Sequence, residues 1–247
     1  MFNILKFKTS KITYCLILFG LLFTTAKVCA QDSITKQTYI YKKGDPNGIG
    51  KFYMGREIAY VMGYQGIGWL ERSEREEEEK TTKLLKNMNI KPTDVIADIG
   101  AGSGYHVFKM AKMAHKGLIY AVDIQPEMLL TMESRKAKEN IKNVETILGS
   151  EQSDSLPENS VDKVLMVDVY HEFSYPAEMI ASIKKALKPK GQIFLIEYRG
   201  EDDSVPIKRV HKMTIKQAVK EFEIAGFVLK KNINNLPWQH CMIFEKK

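Results

Sequence analysis

The stretch Val95-Ile96-Ala97-Asp98-Ile99-Gly100-Ala101-Gly102-Ser103-Gly104-Tyr105 decides the fold. Its apolar opening reads as a buried strand, and the alternating glycines that follow turn the chain into a helix. Glycine lets a backbone approach a ligand closely, and a helix N-terminus offers free N–H groups. A dinucleotide fingerprint uses the same logic with the spacing G-x-G-x-x-G, which, counted from Gly100, would require glycine where Tyr105 stands. The spacing here is G-x-G-x-G. Asp98, two residues before the first glycine, points the same way, because a carboxylate repels a pyrophosphate and attracts an ammonium group.

Outward from this loop, strands and helices alternate, which argues for a parallel sheet covered by helices on both faces. Strands are expected over Val95–Asp98, Leu118–Asp123, Val144–Leu148, Val161–Val167, Gln192–Glu197, Phe227–Ile233 and His240–Glu245. Helices fit Tyr105–His115, Pro126–Asn140, Pro176–Leu187 and Thr214–Gly226, and Lys188-Pro189-Lys190-Gly191 reads as a helix stop and turn. The second strand ends in Asp123, where a carboxylate can accept both hydroxyls of a ribose. Glycine loop, preceding acid and second acid on consecutive strands suit a ligand that has a ribose and an ammonium but no phosphate.

Before the loop, Ser73 is expected to cap a helix reaching about Met88, with Glu76, Glu77 and Glu78 at the positive end of its dipole. Residues 31–50 are polar and turn-rich and read as a linker, and 51–90 as an N-terminal helical lid segment ahead of a domain over 91–247. Residues 1–30 hold Lys6, Lys8, Lys11 and Lys27 but no acid, an apolar run from Ile12 to about Thr25, and Val28-Cys29-Ala30. This is the layout of a cleavable signal peptide. The run is shorter than the roughly 20 residues of a membrane-spanning helix, so an anchor is the second reading and a cytoplasmic protein the third. The expectation is therefore export to the periplasmic side, with membrane contact only through this segment.

The whole chain carries a formal charge of +7, and without residues 1–30 this falls to +3. That is too mild to suggest a nucleic-acid partner. Cys15 and Cys29 lie in the leader, leaving Cys241 alone, so an intramolecular disulfide and a cysteine-based metal site are excluded; no metal is expected.

On these residues the chain resembles the class I S-adenosylmethionine-dependent methyltransferases, small-molecule type, over most of residues 50–247. The resemblance implies a three-layer α/β Rossmann-like sheet of order 3-2-1-4-5-7-6 with strand 7 antiparallel. It implies S-adenosylmethionine as the cofactor, held by Asp98, Gly100, Ala101, Gly102, Gly104 and Asp123, with Ile124 and Met128 flanking the adenine. Ser150 and Glu151, after the third strand, would close over the adenine's polar edge; many members have an aspartate directly after the glycine, where this chain has Ser150. Asp168 falls in the segment that passes beside the sulfonium. The Asn/Asp-Pro-Pro-aromatic signature of enzymes that methylate nucleobase amino groups is absent there, which favours a small-molecule methyl acceptor. Met54-Gly55-Arg56-Glu57-Ile58-Ala59 and Trp69-Leu70-Glu71-Arg72 resemble segments of a bacterial subgroup of such enzymes.

His171, after the fourth strand at the carboxyl edge of the sheet, is the candidate base or substrate-orienting group. The expected topology brings the start of the seventh strand to the same edge. An acceptor pocket is therefore expected from Tyr170, Glu172, Tyr198, Arg199, His211, Trp238 and His240. Two other classes fit less well: a non-catalytic S-adenosylmethionine or nucleotide-binding module, opposed by the intact loop and both acids, and a nicotinamide oxidoreductase, opposed by the loop spacing and Asp98.

Overall fold

Seven strands form the central sheet: β1 (Val95–Ile99), β2 (Leu118–Asp123), β3 (Val144–Leu148), β4 (Val161–Val167), β5 (Leu187–Tyr198), β6 (Phe227–Asn232) and β7 (Gln239–Lys246). In the computed structural model they are ordered β3-β2-β1-β4-β5-β7-β6. β1 to β5 are parallel, while β7 runs antiparallel between β5 and β6, with Gln239 opposite Tyr198 and His240 opposite Glu197. The structure describes residues 38–247, and Tyr41–Lys247 form one compact unit. The expected leader over residues 1–30 lies outside the described residues. Among those described, no helix is long and apolar enough to cross a membrane.

Among the described residues seven α-helices accompany the sheet: α1 (Ile67–Leu70), α2 (Arg75–Glu79), α3 (Thr81–Asn87), α4 (Val107–Met113), α5 (Pro126–Glu139), α6 (Pro176–Ala186) and α7 (Ile215–Ile224). The alternation of the central strands splits their apolar side chains between two cores. Ile96, Ile119, Leu165, Phe194 and Ile196 pack with Leu84, Phe108 and Met132 of α3, α4 and α5. Ala97, Val164, Met166, Leu195 and Met242 pack with Ile180, Ile183 and Phe222 of α6 and α7. Ile180 and Ile183 are fully buried, each worth about 1.5–3 kcal/mol relative to exposure. Local chemistry agrees with these placements: prolines occupy the first turn of α5 and α6, and the Thr214 hydroxyl caps α7 by accepting from Gln217 N at 3.1 Å.

Three expectations are revised. The segment 51–90 is helical only from Ile67 onward; before that, strands Gly48–Tyr53 and Arg56–Ala59 pair as a hairpin, so residues 48–50 are strand rather than linker. The helix expected over 73–88 is broken at Lys80, whose φ of 53° ends α2 and begins α3. The Lys188–Gly191 turn is absorbed into β5, where Val161 pairs with Leu187 and Lys163 with Gln192, so the extra residues bulge out of the ladder.

Candidate active site

Gly100 and Gly102 adopt φ of 75° and 55°, conformations open to glycine but strained for other residues. A Cβ on Gly100 would strike the Val169 side chain, and one on Gly102 would come within 2.6 Å of Leu70 Cδ1. The loop is therefore clasped between the end of β4 and α1. Gly100 N and Ala101 N donate to Val122 O on β2, and Gly102 N donates to Asp123 Oδ2 at 2.8 Å. Gln125 N donates to the other oxygen, Asp123 Oδ1, at 2.9 Å. Asp123 is thus oriented by two backbone donors and still has lone pairs free for a ligand.

A cavity of about 560 Å³ opens beside this loop. Gly100, Gly102, Asp123, Ile124, Met128, Gly149, Ser150, Glu151 and Asp168 all line it. Asp98, Ala101 and Gly104 do not; they shape the loop from behind. Asp98 is 2% exposed, its Oδ2 has no hydrogen-bond partner among the described residues, and burial pushes its carboxyl up to about 7, eased by Arg75 and aggravated by Asp123. Asp168, in the left-handed region with φ of 51°, accepts from Gln239 Nε2 at 2.5 Å through one oxygen, while the other is buried without a partner among the described residues. Burial and the carboxylates of Glu79 and Glu197 hold its acid well above the usual range.

Arg75 is engaged by Glu79 at 2.7 Å and by Leu70 O at 2.8 Å. Tyr198 donates its hydroxyl to Glu79 at 3.0 Å. Arg72 also donates to Glu79, at 2.6 Å, so around the loop the four carboxyl groups of Asp98, Asp123, Asp168 and Glu79 face two guanidiniums, and a cationic ligand offsets that excess where a pyrophosphate would worsen it. An adenosyl group carrying a cationic amino-acid tail fits: Asp123 for ribose hydroxyls, Asp168 facing the cationic part with Asp98 adding its charge from behind the loop, Ile124 and Met128 as apolar walls.

His171 and Glu172 sit in a one-turn 3-10 helix after β4 and are 2% and 8% exposed. His171 Nδ1 lies 2.6 Å from Glu197 Oε2. A buried carboxylate there makes Nδ1 the donor and leaves Nε2 as an acceptor, and Nε2 lies 3.1 Å from Nδ1 of His211. Burial opposes the charge on His171, but Glu197 outweighs it and the imidazole titrates above its ordinary value. His211, half-buried beside His171, is pushed down to about 4, and burial lifts Glu172 to about 7. His171, Glu172, Tyr198 and His211 all line the same cavity as the glycine loop, with Phe173, Pro206 and Ile207.

The other expected pocket residues do not line it. Extended chain alternates its side chains, so while Tyr198 reaches the cavity Arg199 turns away, donating to Pro237 O, Leu236 O and Asn234 Oδ1. His240 bonds Glu201 at 2.8 Å. Trp238 packs on Tyr198 with ring centres 6.5 Å apart. Tyr170 is fully buried and donates to Glu221 Oε2 at 2.6 Å. The expected wall of Tyr170, Arg199, Trp238 and His240 is therefore corrected to a fold-supporting set.

Sequence reasoning missed Glu197, Arg75 and Glu79, whereas the strap over residues 61–64 falls within the segment expected to serve as a lid. Met62 N donates to Glu172 at 3.3 Å and Met62 O accepts from Gln125 Nε2 at 3.0 Å, so the strap joins the two groups of lining residues. The only signals for α1 and the strap were the flanking Met54–Ala59 and Trp69–Arg72 segments.

A methyltransferase-domain family model matches residues 90–241. An uncharacterized methyltransferase of Bacillus subtilis strain 168, YdaC, is 30% identical over 143 residues, 58% of this chain and 76% of that protein. A tRNA U34 carboxymethyltransferase of Campylobacter curvus is 31% identical over 129 residues, 49% of this chain but only 41% of that protein. The solved structure of a SAM-dependent methyltransferase from Aquifex aeolicus superposes with a TM-score of 0.70 at 25% identity, covering 74% of this chain and 98% of that one. These likenesses join the glycine loop, the two acids and the 3-2-1-4-5-7-6 sheet: the chain belongs to the methyltransferase-domain family and is an S-adenosylmethionine-dependent methyltransferase of the Rossmann-like class.

Proposed function

We propose that the protein methylates a small-molecule acceptor whose nucleophile lies beside His171. The observation that carries this reading is that one cavity of about 560 Å³ is lined both by Gly100, Gly102 and Asp123 and by His171, Glu172 and His211. A volume of this order accommodates a small ligand, and the strap through Met62 lies across it. The mild net charge of the chain beyond residue 30 favours a small acceptor over a polyanion.

When bound, S-adenosylmethionine supplies an electrophilic methyl group on a sulfonium. Asp123 would take the ribose hydroxyls and Asp168 would face the cationic tail, with Asp98 acting on the ammonium from behind the loop and Ser150 and Glu151 at the adenine edge. Glu197 holds His171 so that Nε2 can receive a proton from, or orient, the acceptor. Ile207, Phe173 and the strap line the cavity and would shield bound reactants from water, and alignment of two reactants is the main requirement of an in-line displacement.

Incubation of the protein with S-adenosylmethionine labelled in the methyl group, alongside a metabolite extract and total tRNA, tests this. We expect label in a low-molecular-weight product, dependent on His171. Label confined to tRNA would overturn the small-molecule acceptor while leaving the methyltransferase assignment standing.

A further inference from the structure

Glu197, a fully buried carboxylate, fixes the proton of His171 on Nδ1 at 2.6 Å. Carboxylates play this supporting part behind metal-ligating histidines, setting the tautomer and raising the basicity of the other nitrogen. The other nitrogen here, Nε2, is 3.1 Å from His211 Nδ1 and 3.9 Å from Glu172 Oε1. His211 Nδ1 and Glu172 Oε1 are 3.7 Å apart. The centre of a triangle with those sides lies about 2.1 Å from every corner, the length of a Zn–N or Zn–O bond.

The elements that bring the three atoms together are far apart in sequence. His171 and Glu172 come from the 3-10 turn after β4, and His211 from a second 3-10 turn, Arg209–His211. The two imidazoles meet edge to face, with ring centres 5.1 Å apart, so their nitrogens converge rather than stack. All three side chains line the cavity, which leaves the remaining coordination position open to it. Two histidines and one glutamate with an open position is the ligand set of catalytic zinc sites.

We propose that His171 Nε2, His211 Nδ1 and Glu172 Oε1 bind one divalent transition-metal ion of the zinc class, and that its open position takes an ionisable oxygen of the methyl acceptor. This deepens the preceding reading and rests on it for the acceptor, though not for the ion. With the ion bound, Nε2 of His171 holds metal instead of a proton. The ion takes the place of the proton on an acceptor hydroxyl, that proton leaves to solvent, and a metal-held alkoxide or phenolate remains at near-neutral pH. The substrate class is accordingly a hydroxylated small molecule.

The test uses untagged full-length protein stripped with a chelator and titrated with Co2+, whose visible d–d absorption reports the coordination geometry. We expect an absorption that saturates at one ion per chain, is displaced by Zn2+, and changes shape when a hydroxylated acceptor analogue is added. His211→Ala should weaken Co2+ binding by at least about 100-fold, and Glu172→Gln should weaken it too, while Glu197→Gln should cost about 10- to 100-fold as a positioning residue. S-adenosylhomocysteine affinity, measured on the same samples by calorimetry, should be retained in His211→Ala and shows that the variant is folded. Absence of a saturable absorption overturns the proposal, as does an absorption unchanged in both His211→Ala and Glu172→Gln. Methyl transfer to a small molecule by protein that binds no metal would overturn the ion and leave the small-molecule reading intact.

Discussion

Asp98 sits between two opposing electrostatic demands. Burial favours its neutral acid, pushed up to about 7, while Arg75 on α2 favours the anion and Asp123 on β2 opposes it. Because the folded value lies above the unfolded one, this group's contribution to the stability of the ligand-free protein is full below the ordinary carboxylate range and is lost as pH rises through about 7. An ammonium held across the loop from it opposes that preference, since only the ionised carboxylate is attracted to a cation. S-adenosylhomocysteine binding should therefore tighten about tenfold between pH 6 and pH 8, following the ionised fraction. Asp98→Asn should flatten that profile, and calorimetry across the range checks it. A flat profile in the parent protein would show that Asp98 does not act on the ammonium. The position of this aspartate was legible because strand, acid and glycine are adjacent in sequence; its burial behind the loop, outside the cavity lining, was not, since burial is set by packing between segments distant in sequence.

Between elements, a buried cluster helps pin the hairpin to the body. Arg56 donates to Glu221 of α7 through Nε at 2.8 Å and Nη2 at 3.1 Å, and to the carbonyl of His171 at 3.1 Å. Tyr170 and Gln217 donate to the same carboxylate at 2.6 and 2.7 Å. Glu221 is wholly buried, so Glu221→Gln leaves the nearly enclosed Arg56 charge uncompensated. Denaturant unfolding should show a loss of about 3–5 kcal/mol. Replacing the whole cluster with Arg56→Met, Tyr170→Phe and Glu221→Leu should recover most of it, because apolar groups of similar volume need no partners. An equal loss in the triple variant would mean that packing, not an orphaned charge, sets the cost. None of this could be read from sequence: Arg56 and Glu221 are 165 residues apart. The hairpin was also hidden, because its turn places Met54 and Gly55 at φ of 49° and 102°, a geometry usually signalled by Asn-Gly or Asp-Gly. By contrast β1 to β4 and α5 to α7 were legible, since each announces itself by a local apolar period, a proline or a cap.

Across the whole molecule, the cavity draws on segments from Val61 to His211, and the topology explains which of them were foreseeable. A parallel sheet gathers the carboxyl ends of its strands on one edge, so the loop, Asp123, Ser150, Glu151 and His171 were expected to share a site and do share one cavity. The side on which a side chain leaves that edge is decided by pleat and neighbours, which is why Arg199, Trp238 and His240 were misassigned. The same assembly from separated segments makes the ligand a cross-link between the strap, the glycine loop and the turn after β4. Ligand that binds only this assembled state stabilises it by about 2.7 kcal/mol at a hundredfold excess over Kd. For a chain of this size that corresponds to a rise in Tm of roughly 5–10 °C. S-adenosylhomocysteine should produce that rise in a thermal unfolding scan, and NAD at the same concentration should not, because the carboxylate-rich loop repels its pyrophosphate. Asp123→Ala should lower the starting Tm, since Gly102 N and Gln125 N lose their acceptor, and should also shrink the ligand-induced shift by more than half. A shift of full size in a folded Asp123→Ala protein would show that the ribose is held elsewhere, and an NAD shift matching that of S-adenosylhomocysteine would return the loop to a nucleotide-binding role.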